Sequence, residues 1–129
     1  MRILAVLVSL AALAAPPVLA DVGGDQFARA VEARRAGLPS VATVANAVAD
    51  LARLGEGAAA AELRALSQLA ELETAAGLRG GLSAIEEAER ARLARTLGNP
   101  PRAAMVARME ALIARRQALL AAQGSAPTR

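Results

Sequence analysis

The chain has 129 residues, a formal net charge of +3 and a single aromatic residue, Phe27. It contains no cysteine, histidine or lysine, so all 15 basic residues are arginines. These absences exclude disulfides, the usual zinc and haem sites, imidazole acid–base catalysis and Schiff-base chemistry. We therefore expect a protein that is not an enzyme and that binds no metal or cofactor.

The first twenty residues have the pattern of a secretory signal peptide. Arg2 precedes an apolar run over residues 3–15, and Pro16 and Pro17 come shortly before the small residue Ala20. This order of basic, apolar and small-residue segments is typical of an exported chain, with cleavage near Ala20. The alternative is a retained membrane anchor, but the apolar run would span only about 20 Å as a helix, against a hydrocarbon core of about 30 Å. We predict a periplasmic or secreted protein.

Two helices are predicted in the first part of the mature chain. The first spans residues 26–36, with Asp25 as its N-cap and apolar residues on one side. The second spans residues 41–54, with Ser40 as its N-cap. The alternation VATVANAVA in this second segment could also indicate a strand. We favour a helix, because the helical spacing of apolar residues continues to Leu51.

The third predicted helix, residues 58–76, consists almost wholly of good helix formers. Its two apolar seams predict contact with two neighbouring helices. Glu62 and Glu73 lie between the seams, where carboxylates either reach solvent near the helix ends or pair with arginines. Gly77 is predicted to end this helix as a left-handed cap.

The fourth predicted helix spans residues 84–97 and has the clearest start in the sequence. Ser83 and Glu86 form a capping box, in which each residue bonds the backbone amide of the other. Glu86 and Arg90 are four residues apart on this helix and can pair. The apolar side of this helix is narrow, so we expect it to lie at the edge of the fold.

The last predicted helix begins after Gly98, with Asn99 as its N-cap and Pro100 in its first turn, and runs to about Gln123. Two heptads are too few to predict a coiled coil. We interpret the methionines as core residues. The helix carries a heptad-like seam that contains an arginine: Met105, Met109, Leu112, Arg116 and Leu119.

Five helices with short glycine-containing joints predict an all-α protein, either a small antiparallel helical bundle or stacked helical hairpins. After a signal peptide over residues 1–20, we predict one helical domain over residues 21–123 and a disordered tail over residues 124–129. The 36 alanines imply a core that buries little area per residue. We therefore expect modest stability, or stabilisation by a partner.

Charge is distributed unevenly along the chain. Residues 21–89 carry six arginines and eleven carboxylates, a balance of −5, whereas residues 90–129 carry eight arginines and one carboxylate, a balance of +7. The two parts could bind each other, within one molecule or between copies, or could be solvated helix faces. The basic part could also contact lipid headgroups or an acidic protein. The candidate contact residues are the arginines of the last helix, Arg108, Arg115 and Arg116.

The remaining chemistry favours a protein that works by contact. Adjacent carboxylates such as Glu86 and Glu87 suit salt bridges on helix surfaces better than a glycosidase pair. Nucleic acid is a poor candidate partner, since no aromatic residues lie among the arginines. We expect an adaptor, assembly factor or chaperone-like protein that binds an envelope or secreted protein, or that self-associates. The alternative is a protein that binds an anionic membrane surface through its arginine-rich last helix.

Overall fold

The computed structural model describes residues 24–125, and this part of the chain contains five helices and no strand. The prediction of an all-α protein is confirmed, and the fold is consistent with a helical bundle. The signal peptide predicted over residues 1–20 lies outside the described residues. The helices are α1 (Asp25–Arg34), α2 (Val41–Arg53), α3 (Gly57–Arg79), α4 (Ala84–Thr96) and α5 (Arg102–Ser125).

The first two helices begin in different ways. α2 begins after Ser40, as predicted, because the Oγ atom of Ser40 accepts a hydrogen bond of 3.1 Å from the amide of Thr43. This bond satisfies an amide that the first turn of a helix otherwise leaves free. Asp25, however, is not a cap. It is the first residue of α1, and its carboxylate binds Arg29, 2.9 Å away and one turn further along.

Gly77 does not end α3, contrary to the prediction. The helix continues to Arg79, and the residue with the left-handed backbone is Gly80, with a φ of +77°. The side chain of Arg34 lies so close to Gly77 that a Cβ atom at this position would overlap it. The missing side chain of Gly77 therefore allows close packing, whereas Gly80 provides the conformation that ends the helix.

The start of α5 also differs from the prediction. Asn99 is not the N-cap, because it adopts a left-handed conformation with a φ of +52°, directly after Gly98 with a φ of +81°. The first helical hydrogen bond of α5 has the carbonyl of Pro101 as its acceptor. A left-handed residue other than glycine is unfavourable by on the order of 1 kcal/mol. At its other end α5 reaches Ser125, and residues 126–129 of the predicted tail lie outside the described part.

The described residues group into two compact units. The α1/α4 unit comprises residues 24–38 and 68–96, and it contains α1, the second part of α3, and α4. The α2/α5 unit comprises residues 39–67 and 97–125, and it contains α2, the first part of α3, and α5. α3 therefore contributes residues to both units. The single domain expected over residues 21–123 stays a prediction.

In the α2/α5 unit, three helices contribute apolar residues to the core, and α2 packs against α5. The predicted seam of α5 provides Met105, Met109 and Leu112, none of them more than 3% exposed. Burial of one such side chain stabilises a fold by about 1.5–3 kcal/mol, so these residues hold α5 in place. The buried residues of the other helices are Val44, Ala47, Val48 and Leu51 of α2, and Ala60, Leu63 and Leu66 of α3.

The α1/α4 unit covers its apolar residues less completely. α3 provides most of its buried apolar side chains and α4 adds Leu93, whereas α1 buries none of its residues fully. Phe27 and Val31 of α1 are half-buried, and Ile85 of α4 is 78% exposed. Apolar side chains of α1 and α4 thus remain in contact with solvent.

A substitution at Gly80 should destabilise the protein, while the same substitution at its neighbour should not. We expect Gly80→Ala to lower the free energy of unfolding by about 1 kcal/mol, because alanine is strained in the left-handed conformation. Gly81→Ala is the matched control, since Gly81 has open space around it and no left-handed backbone. Urea unfolding followed by circular dichroism measures both variants. Equal stability of the two would contradict the assignment of Gly80 as the helix cap.

Candidate functional site

The three predicted contact residues lie on one side of α5. Arg115 and Arg116 follow Arg108 by seven and eight residues, which is about two turns of an α-helix. All three belong to the α2/α5 unit, and each contacts a carboxylate in or next to α2 and α3. We call these contacts the arginine ladder; its pairs are Arg108 with Glu62, Arg115 with Glu56, and Arg116 with Asp50.

Two pairs of the ladder are bidentate. The Nε and Nη2 atoms of Arg108 donate hydrogen bonds of 2.7 and 2.8 Å to the two carboxylate oxygens of Glu62. The same atoms of Arg115 donate bonds of 3.2 and 3.0 Å to those of Glu56. Paired bonds from a planar guanidinium fix the orientation of both side chains. Because the later arginine binds the earlier glutamate, α5 runs antiparallel to this part of α3.

The third pair is the least exposed. The Nε atom of Arg116 donates a hydrogen bond of 2.8 Å to Oδ2 of Asp50, and the two side chains are 21% and 24% exposed. Asp50 also accepts a bond of 3.3 Å from Arg53, on the same helix. Arg116 continues the apolar seam of α5, and its pairing with Asp50 explains how a charged residue is accommodated there.

Ion pairing in the ladder stabilises the charged forms of Asp50, Glu62 and Arg108. Hydrogen bonds from Arg116, and then from Arg53, hold the pKa of Asp50 below its ordinary value, although burial acts in the opposite direction. The hydrogen bond from Arg108 lowers the pKa of Glu62. Glu62 in turn raises the pKa of Arg108. Arg108 and Glu62 therefore each keep the other ionised over a wider pH range.

Similar pairing occurs within α4, where Arg90 contacts Glu87 and Arg92 contacts Glu89. Glu86 and Arg90, whose spacing permits a pair, bind other residues, because the capping interaction turns Glu86 toward the preceding residues. Together with the ladder, these pairs engage at least five of the eight arginines after residue 89. Much of the charge in the basic part of the chain is thus balanced by carboxylates of the same chain.

Glu86 is the centre of a second cluster, in the α1/α4 unit. Its amide donates a bond of 3.2 Å to Oγ of Ser83, and its Oε1 accepts one of 3.1 Å from the amide of Ser83, which confirms the predicted capping box. The Nη2 atom of Arg79 lies 2.9 Å from both carboxylate oxygens of Glu86. Arg79 has the largest effect in lowering the pKa of Glu86, and Ser83 adds to it. This carboxylate is 5% exposed and links the end of α3 to the start of α4.

The sequence patterns did not reveal the partners of Arg79 and Arg35. The pairing of Arg79 with Glu86 could be predicted from position, because Arg79 ends α3 and Glu86 lies in the first turn of α4, which follows after a short joint. Arg35 follows α1 and pairs with Glu71 of α3, and both side chains are less than one fifth exposed. No local pattern connects two residues that are 36 positions apart.

The chemistry of these clusters is that of ion pairs. A general acid needs a carboxyl whose pKa is raised toward neutrality, whereas the pKa values of Asp50, Glu62, Glu86 and Glu89 are lowered by arginines. Within residues 24–125, no three potential metal-binding side chains come together. Among the helices of this same range, none is long and apolar enough to cross a bilayer.

Acidification should destabilise the protein through the ladder carboxylates. Pairing holds the pKa of Asp50 and Glu62 below their ordinary values of 3.8 and 4.5. A lowered pKa contributes stability above the unfolded-state pKa, and this contribution is lost as the pH falls through the folded-state value. We therefore expect the free energy of unfolding to decrease as the pH drops below 4.5 and then below 3.8.

Glu62→Gln should flatten this pH dependence, because the variant has one fewer carboxylate that ionises with a lowered pKa. The matched control is Glu110→Gln, since Glu110 is exposed on the same helix as Arg108 and forms no ion pair within residues 24–125. Urea unfolding at several pH values measures the slope for each variant. The same slope for Glu62→Gln and the unsubstituted chain would rule out this pair as a source of the pH dependence.

Comparison with models of known protein families, with curated proteins and with solved structures finds no match for this chain. Its own residues and contacts therefore carry the functional assignment.

Proposed function

We propose that this protein is exported and acts by binding another protein, as an adaptor, an assembly factor or a chaperone-like partner in the cell envelope. After cleavage near Ala20, the mature chain works in the periplasm or outside the cell as a small helical bundle. Its partner is an envelope or secreted protein, or a second copy of itself. The proposal involves neither catalysis nor a cofactor.

The observation that carries the proposal is the incomplete coverage of α1. This helix has ten residues, fewer than an isolated helix needs to be stable in water, so it depends on packing. It nevertheless buries no residue completely, and Phe27 and Val31 remain half-buried. Ile85 of the same unit is largely exposed. A partner surface that covers these side chains would supply the apolar burial that α1 lacks.

The alternative, binding of an anionic membrane surface through α5, has less support. It requires Arg108, Arg115 and Arg116 to bind lipid phosphates, and each of them already contacts a carboxylate of its own chain. Lipid binding would have to replace pairs that align α5 with its neighbours. Sedimentation of the protein with vesicles, in proportion to their content of anionic lipid, would favour this alternative over protein binding.

A charge at Ile85 should weaken capture of the partner without unfolding the protein. Ile85→Asp is expected to change the free energy of unfolding by no more than about 0.5 kcal/mol, because the side chain is exposed. If Ile85 lies in the contact, its replacement should reduce the amount of partner captured from an envelope extract by about tenfold, as for a central interface residue.

Val41→Asp is the matched control for Ile85→Asp. Val41 is 50% exposed and also lies in the first turn of its helix, where an acidic residue suits the helix dipole. We expect this variant to capture the partner as well as the unsubstituted chain does. Equal capture by all three proteins, measured by quantitative mass spectrometry of the bound fraction, would contradict a contact at Ile85.

Export makes a separate prediction about the N-terminus. The protein recovered from the periplasm or the medium should begin at Asp21, because the signal peptide is removed after Ala20. Ala20→Arg should block this cleavage, since a large charged residue does not fit the small-residue site. Intact-mass measurement identifies the N-terminus. An unsubstituted protein that stays in the cytosol and keeps Met1 would refute export.

A further inference from the structure

In the segment that precedes α5, Asn99 has an unfavourable backbone conformation, whereas glycine at position 98 adopts a positive φ without strain. Gly98 and Asn99 both have a positive φ, +81° and +52°, and Asn99 is followed by Pro100 and Pro101. A residue that precedes proline favours an extended backbone with a φ of about −120°. The left-handed conformation of Asn99 therefore opposes the preference of its own sequence. Extension of residues 97–101 would remove this conflict.

The surface that receives α5 comes from one continuous stretch of the α2/α5 unit. α2 and α3 are consecutive helices, and their stretch of the chain provides both buried apolar side chains and the carboxylates Asp50, Glu56 and Glu62. α5 supplies the complementary groups, which are a buried seam beginning at Met105 and the arginines of the ladder. These are contacts between side chains, so the α5 of another copy can make the same ones.

We propose that α5 is an exchangeable helix. In a dimer of this chain, residues 97–101 extend and each copy places its α5 on the α2 and α3 of the other. Strain in a short connecting segment promotes such exchange, and the dimer retains the ion pairs and the buried seam of the α2/α5 unit. The inference rests on the proposed function in one respect, which is that a second copy is among the partners considered there.

Exchange can be tested with two charge-reversed chains. The first carries Arg108→Glu and Arg115→Glu, so its α5 is repelled by unaltered α2 and α3. The second carries Glu56→Arg and Glu62→Arg, so its α2 and α3 repel an unaltered α5. Each chain is mismatched with itself, either as a monomer or as an exchanged dimer. In an exchanged heterodimer of the two chains, however, every reversed arginine meets a reversed glutamate.

The two full-length chains are unfolded, mixed and refolded together, and their complexes are weighed by native mass spectrometry. We expect the amount of heterodimer to exceed that of either homodimer by about tenfold or more. In the heterodimer, each contact of α5 with α2 and α3 has two attractive pairs in place of the two repulsive ones in a homodimer. Raised salt should reduce this excess. A dimer formed through another surface would not bring the reversed residues of the two chains together, so it would not favour the heterodimer. Homodimers and heterodimers in the proportions of a random mixture would therefore overturn the proposal.

A second measurement keeps the proposal testable if the reversed chains fold poorly. The natural chain has no cysteine, so Glu62→Cys in one copy and Arg108→Cys in the other place a single thiol on each. A bis-maleimide reagent should join the two copies, since these positions face each other across the ladder. In the control mixture, Ile85→Cys replaces Arg108→Cys. Equal yields of cross-linked dimer in the two mixtures would overturn the exchange.

The outcomes separate this inference from the proposed function. Heterodimers without capture of any other protein would support exchange and confine the proposed function to self-association. Loss of capture in Ile85→Asp together with random pairing of the reversed chains would leave the proposed function standing and overturn exchange.

The role of residues 97–101 has its own test. Asn99→Gly combined with Pro100→Ala should lower the fraction of dimer, because the two substitutions relieve the strain in the closed segment. An unchanged fraction of dimer would contradict the role of this segment.

Discussion

The packing of α5 on α2 and α3 is the contact on which the α2/α5 unit depends. Met105, Met109 and Leu112 stabilise this contact more than the ion pairs do, since a fully buried side chain contributes about 1.5–3 kcal/mol and an exposed ion pair contributes much less. The bidentate pairs add alignment, because Arg108 and Arg115 reach their partners together only when α5 runs antiparallel to α3 in one register. Apolar burial holds the helix, and the arginine ladder determines how it lies.

Most of the helical architecture could be predicted because its signals are local. The cap at Ser40 and the capping box of Ser83 with Glu86 are patterns within one turn, and the structure confirms both. The predictions for Gly77 and Asn99 are wrong, because each residue type suits more than one position in a fold. Gly77 makes room for the side chain of Arg34, a contact that no pattern around Gly77 reveals.

The candidate site could be predicted in part. The uneven charge distribution indicated that the acidic and basic parts could bind each other, and the ladder shows such pairing within one chain. Which arginine meets which carboxylate depends on the register of α5, and composition does not determine register. Arg108, Arg115 and Arg116 are engaged within their own chain, so they are less available to a partner than the half-buried apolar residues of α1 and the exposed Ile85 of α4.

The Glu86 cluster has a consequence for motion in the α1/α4 unit. From their composition alone, Gly80 and Gly81 would make the joint between α3 and α4 flexible. Ser83 follows this joint and moves with α4, so the bonds that span the joint run from Arg79 to the two carboxylate oxygens of Glu86. A change of angle at the joint would break these charge-assisted bonds. The two glycines therefore form a turn whose conformation is restrained by this ion pair. The Arg79–Glu86 pair therefore restrains the angle between α4 and the end of α3.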